Sequence, residues 1–139
     1  MKNASNFFNI LQGSWKLDRT ITSFNKLIGT ASGIANAIKI NDSTLFYKEE
    51  LEVIINNVKT KSHKQYLYNL EDGKLYKKFD DNTLFYQLIF KKYLAKGVHL
   101  CGKDLYKATY KFYNDTNFSL EYDIKGPRKD DVIKTEFLR

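Results

Sequence analysis

Only three of the 23 basic residues in this 139-residue chain are arginines, Arg19, Arg128 and Arg139. A planar guanidinium can fork onto a carboxylate or lie flat on a ring, which an ammonium cannot, so arginines in a lysine-rich chain mark places where such a contact matters. Arg19 belongs to an alternating run in which Trp15, Leu17, Arg19 and Ile21 share one face. A second run puts Leu45, Tyr47, Glu49 and Leu51 on one face. An inward Glu49 is costly unless paired. Arg19 is its natural partner, and the pair would anchor the core or orient a polar group on a ligand. At the other end of the chain, Ile133, Thr135, Phe137 and Arg139 share a face. If first and last strands pair, Arg139 can stack across Trp15, a cation–π contact worth about 0.5 to 2 kcal/mol.

The segment His99-Leu-Cys101-Gly-Lys-Asp104-Leu-Tyr106 gathers further chemistry. Strict alternation places His99 and Cys101 opposite Asp104 and Tyr106. A bulge at Gly102 would flip the register and bring all four into one cavity. One His, one Cys and one Asp on a single segment lack the spacing of a zinc site, so no metal is expected. His99 and Cys101 are also a weak nucleophile pair, and His99 reads better as a hydrogen-bonded structural or ligand-orienting residue than as a catalytic base. Inward tyrosines at Tyr66, Tyr68, Tyr86, Tyr106, Tyr110 and Tyr122 would line an otherwise apolar interior, with hydroxyls that face a ligand or simply bond water at a mouth.

These side chains need a scaffold, and the turn signals suggest one. Ser5 to Leu11 reads as a short helical turn with Ser5 as N-cap, plugging one end. Strands follow at Gly13 to Ile21, Gly29 to Ile40, Thr44 to Leu51, Gln65 to Leu70, Lys74 to Phe79, Thr83 to Phe90, Leu105 to Tyr113, Phe118 to Lys125 and Val132 to Arg139. Gly29 to Ile40 has apolar residues at both helical and strand spacing, and its glycines favour the strand. Glu71-Asp72-Gly73, Asn114 to Asn117 and Gly126-Pro127 mark turns between them. Roughly nine or ten short strands with hairpin-length loops are the pattern of an antiparallel up-and-down β-barrel. The Gly13-x-Trp15 opening suits the first strand of a lipocalin-like barrel. The whole of 1–139 reads as one such domain.

Composition agrees. Tyr and Phe number ten each, a mixture suited to half-buried pleated strands. The net charge of +7 invites a nucleic-acid reading. Yet the positive charge is carried by scattered lysines such as Lys74, Lys77, Lys78, Lys91, Lys92, Lys107 and Lys111. These read as the solvent face of strands, where they discourage edge pairing. A single cysteine excludes an intrachain disulfide. The first eleven residues contain no run apolar enough for a signal peptide or span, and a cytoplasmic location is expected.

The order Leu11-x-Gly13-x-Trp15-x-Leu17-x-Arg19, Gly33-x-Ala35, Leu45-x-Tyr47-x-Glu49, Tyr66-x-Tyr68, His99-x-Cys101-x-x-Asp104-x-Tyr106, Gly126-Pro127-Arg128-Lys129-Asp130 and Thr135-x-x-x-Arg139 resembles DUF6314, an uncharacterised family of small bacterial and fungal proteins. The resemblance implies a calycin-like barrel and no established activity. It departs from the family pattern after Asp81, where Asn82-Thr83-Leu84-Phe85-Tyr86 stands in place of a turn followed by an aromatic residue and a histidine. Tyr86 therefore removes one half of any histidine pair.

The leading expectation is a small-molecule binding protein whose barrel encloses an apolar or amphipathic ligand. Candidate contacts are Arg19, Tyr47, Glu49, Tyr66, Tyr86, His99, Cys101, Asp104 and Tyr106, with Gly13, Trp15, Gly126, Pro127 and Arg139 in structural roles. A small isomerase, cyclase or lyase using Asp104 or His99 is the alternative. Haem binding through His99 would need open space beside the imidazole, and a filled barrel would leave only an interaction scaffold. The sequence names no cofactor and no oligomeric state.

Overall fold

Left-handed two-residue turns organise the chain. Phe24-Asn25, Asn56-Asn57 and Asp72-Gly73 have φ of 48° and 62°, 50° and 65°, and 50° and 74°. That geometry has the twist of the strands it joins, which is why tight hairpins use it. The computed structural model describes residues 2–139. One helix, α1 (Ala4–Leu11), precedes ten strands: β1 (Gly13–Ser23), β2 (Lys26–Asn41), β3 (Thr44–Ile55), β4 (Val58–Glu71), β5 (Lys74–Phe79), β6 (Leu84–Lys91), β7 (Leu94–Cys101), β8 (Asp104–Asn114), β9 (Asn117–Lys125) and β10 (Asp130–Leu138). Each strand pairs antiparallel with the next, and β1 pairs with β10 to close the barrel. Closure sets Leu17 opposite Phe137 and Arg19 opposite Thr135.

The architecture is the expected antiparallel up-and-down barrel. Several strands run further than the turn signals suggest. The Asn56-Asn57 hairpin extends β3 to Ile55 and starts β4 at Val58, and β7 occupies the segment before Asp104. The ambiguous Gly29 to Ile40 lies wholly within β2.

The helix closes one end. Asn3, not Ser5, is its N-cap, with the Asn3 carboxamide accepting from the Asn6 amide at 2.8 Å. Phe7 sits at the centre of the plug, its ring 4.9 to 6.3 Å from those of Tyr68, Phe90, Tyr110, Phe112 and Phe118. The last carbonyls of a helix have no partner within it. Here the Trp15 indole donates to the Leu11 carbonyl at 2.9 Å, and the Arg139 guanidinium donates to those of Ile10 and Gln12. The same guanidinium lies 4.1 Å over the Trp15 ring, as expected from closure. Gly13, at φ 108°, turns the chain beneath it from helix into β1.

Candidate functional site

The opposite end, bounded by the β1–β2, β3–β4, β5–β6, β7–β8 and β9–β10 connections, has no helix over it. Alternation on β1 and β3 sends Arg19 and Glu49 into the barrel just above the packed core. Their side chains form a two-pronged pair, with Arg19 Nη1 and Nη2 donating to the Glu49 carboxylate at 2.9 and 3.2 Å. Arg19 Nε donates to Thr135 Oγ1 at 2.7 Å, and the Tyr47 hydroxyl donates to Glu49 at 2.7 Å. Burial alone would raise the Glu49 pKa, but the Arg19 charge and these hydrogen bonds outweigh it, so the carboxyl is held below its usual value. The expected Arg19–Glu49 contact is present.

A second cation sits beside this pair, on β5, where Leu75, Lys77 and Phe79 alternate inward. Lys77 is 3% exposed. This corrects its assignment to a solvent-facing stripe. The ammonium donates to the Tyr122 hydroxyl at 2.9 Å and makes no ion pair among the described residues. It lies 4.1 Å from the Tyr66 ring centre and 5.4 to 5.8 Å from those of Tyr47, Tyr68, Phe85, Tyr86 and Tyr122. Such rings favour a cation, but they do not replace its lost water. Burial pulls the Lys77 pKa down to about 7, with Arg19 and Lys64 adding to the fall and Glu49 opposing it.

The tyrosines do more than line a wall. Tyr68 and Tyr110 hydroxyls are 3.0 Å apart, Tyr110 and Tyr86 2.6 Å, and Tyr86 and Tyr122 2.7 Å. Together with Lys77 they make an unbroken hydrogen-bonded chain from the plug to the mouth. The hydroxyls thus bond one another, which corrects the reading that they reach only water. Burial raises the pKa of Tyr68, Tyr86, Tyr110 and Tyr122, and that of Tyr66 to about 12, so all are neutral phenols. Gly97 makes room for this chain, because a Cβ there would run into the Tyr86 ring.

The His99 to Tyr106 segment is arranged differently from the expectation. Gly102 is not a bulge within one strand; with φ 62° it belongs to a turn between β7 and β8 that pairs His99 with Tyr106 and Cys101 with Asp104. Opposed residues share a face, so the four side chains do lie on one side, but not in one cavity. Cys101 is exposed at the hairpin tip. Asp104 lies 3.5 Å from the Lys129 ammonium and packs against Gly126, where a Cβ would strike its carboxylate. The turn Gly126-Pro127-Arg128-Lys129 is closed by a Gly126 amide to Lys129 carbonyl bond of 3.0 Å. His99 is half-buried among Phe79, Phe85 and Tyr106, with ring centres at 5.8, 5.1 and 6.1 Å. Those rings take up the space beside the imidazole that a haem would need.

What remains open is a cavity of about 270 Å³ on the other side of the mouth. Ile21, Ala31, Val53, Leu120 and Ile133 supply apolar walls, Arg19, Glu49, Tyr66, Lys77 and Tyr122 its polar side, and Thr60, Ser62 and Lys64 on β4 its polar rim. Of the expected ligand contacts, Arg19, Glu49 and Tyr66 line it. Tyr47 and Tyr86 stand behind it through Glu49 and Tyr122, and His99, Cys101, Asp104 and Tyr106 lie outside it. Lys77 and Tyr122 are the main groups the sequence reading left out of the site. For Lys77 the signal was its place between Leu75 and Phe79 in an alternating run.

Solved structures share this architecture. An S-type phycobiliprotein lyase, CPES, from Guillardia theta superposes with a TM-score of 0.78 at 11% identity, over 99% of this chain and 93% of that one. Two structures bound to DFHBI also match: a redesigned β-barrel, mFAP1, with a TM-score of 0.51, 12% identity and coverage of 94% and 96%, and EF1p2_mFAP2b with 0.54, 11% and 98% of each chain. At such identities the likeness is one of fold. Among curated proteins, none matches. No described helix is long and apolar enough to cross a membrane. The sequence family that matches covers residues 11–139, nearly the whole barrel and the end of its plug, and the chain belongs to it: DUF6314, a family of unknown function.

Proposed function

We propose that the mouth cavity binds one small, mostly flat molecule, apolar along its body, with a polar or anionic end directed to Arg19 and Lys77. The observation that carries this reading is the pairing of apolar walls with three cations, Arg19, Lys64 and Lys77, against one carboxylate, Glu49, in a space of about 270 Å³. Few convergent polar groups in an otherwise apolar pocket are what orient a ligand in such sites. Two of the similar structures are bound to DFHBI, which supports ligand binding by a barrel of this kind. A catalytic reading built on Asp104 or His99 lacks this support, since both lie outside the cavity.

2-Naphthoate, flat with one anionic end, is the probe. Its fluorescence anisotropy should show saturable one-to-one binding, and Ala31→Phe, which fills the cavity from β2, should weaken binding at least about tenfold. Binding that is unaffected by filling the cavity would overturn the proposal.

A further inference from the structure

We infer that Lys77 is a reactive amine that binds a carbonyl compound covalently, as an imine, at the inner end of the mouth cavity. The inference rests on the cavity reading above and gives its ligand a chemical class: an aldehyde or ketone on a flat apolar body.

Three observations support it. The first is position, since the Lys77 side chain lines the cavity and its Nζ has, among the described residues, a single hydrogen-bond partner, the Tyr122 hydroxyl at 2.9 Å. The second is the absence of a carboxylate partner. Glu49 is held by Arg19 and Tyr47, which leaves the lysine without the ion pair that would keep it protonated. The third is its surroundings. Arg19 from β1, Glu49 and Tyr47 from β3, Lys64, Tyr66 and Tyr68 from β4, Tyr86 from β6 and Tyr122 from β9 are the charged and titratable groups that act on it, and burial is the strongest influence. With a pKa of about 7, roughly half of Lys77 is free amine at neutral pH, against about one in 2,500 for an ordinary lysine. Desolvation beside another cation is an established route to a nucleophilic lysine.

The chemistry balances without a further reagent. The Nζ lone pair attacks the carbonyl carbon, a C–N bond forms, and the C=O π pair moves to oxygen. That oxygen takes up a proton lost from nitrogen, with the Tyr122 hydroxyl in reach of the nitrogen to relay it. The hydroxyl then leaves as water with the second nitrogen-bound proton, relayed in the same way, as the nitrogen lone pair forms C=N. Amine and carbonyl give imine and water. A protonated imine keeps the positive charge that Glu49 already faces.

The test uses the whole protein with 2-naphthaldehyde and cyanoborohydride, which reduces an imine to a stable amine, followed by peptide mapping. At pH 7, Lys77 should carry at least tenfold more label than any of the other nineteen lysines. Its labelling should fall several-fold by pH 5.5, and excess 2-naphthoate should block it while sparing surface lysines. Lys77→Met should lose the dominant adduct, whereas Lys74→Met, at an exposed position of the same strand, should keep it. Label spread evenly over the lysines overturns the inference. So does naphthoate binding with Lys77 unmodified, which leaves the cavity reading intact, whereas loss of both naphthoate binding and adduct overturns both.

Discussion

Two arginines, one on β1 and one just past the end of β10, finish the two ends of this barrel in opposite ways. Arg139, on the closed end, lies on the Trp15 ring and donates to the carbonyls of Ile10 and Gln12, so it ties the end of the helix to the barrel. Arg19, towards the open end, is committed to Glu49 and Thr135, but beside it stand a cavity and a buried lysine with no carboxylate of its own. The closed end is packed with aromatic rings around Phe7. The open end departs from such packing by burying Lys77 where methionine or leucine would fit. Local departures from stability at one place in an otherwise consistent fold mark the region that works rather than holds.

The largest test falls on the closed end. Trp15→Ala removes a fully buried ring, its bond to Leu11 and the surface on which Arg139 rests, and should cost about 3 to 5 kcal/mol in denaturant melts. A loss under about 1 kcal/mol would mean that the plug is not the stable end. On the open side, Arg19→Ala or Glu49→Ala alone should cost about 3 kcal/mol, since each strands a buried charge. Removing both should cost less than the sum. A double-mutant cycle that comes out additive would count against the contact.

These closed-end and ion-pair contacts were legible because the residues are rare and the alternation strict. Tryptophan occurs once and arginine three times, so each occurrence carries information. Lys77 was lost among twenty lysines, although its neighbours Leu75 and Phe79 both point inward. A charge between two core positions was read by its type instead of by its period. The hairpin at Gly102 failed for another reason. A glycine with positive φ serves a bulge and a turn equally well, and only pairing across strands decides between them.

Lys77 gives the comparison a pH dependence. Its folded pKa of about 7 is below the unfolded value of about 10.4, so the unfolded chain binds the extra proton between these limits. Stability from this group therefore rises with pH across that window, by up to about 1.4 kcal/mol per unit. The buried tyrosines act the other way. Their raised pKa values favour the fold below about pH 10, and that stability is lost above it as unfolded phenols ionise first. Lys77→Met should be more stable than the parent at pH 6, and its advantage should fall by about 4 kcal/mol between pH 7 and pH 10. A gain of equal size at both ends of the range would show that the lysine is protonated in the fold throughout.

The smallest effect is expected at the β7–β8 hairpin, which lies at the open end but outside the cavity. Cys101 is exposed at its tip and touches neither Lys77 nor the tyrosine chain. A bulky maleimide should label it in the native protein as fast as in the unfolded chain, and Cys101→Ser should change stability by less than about 0.5 kcal/mol. Neither change should alter binding of 2-naphthoate. Slow labelling, or weakened binding after it, would extend the working region from the Lys77 side of the mouth to the His99 side. The open end would then be one continuous site, and the packed rings of Phe79, Phe85 and His99 would have to move to admit a ligand.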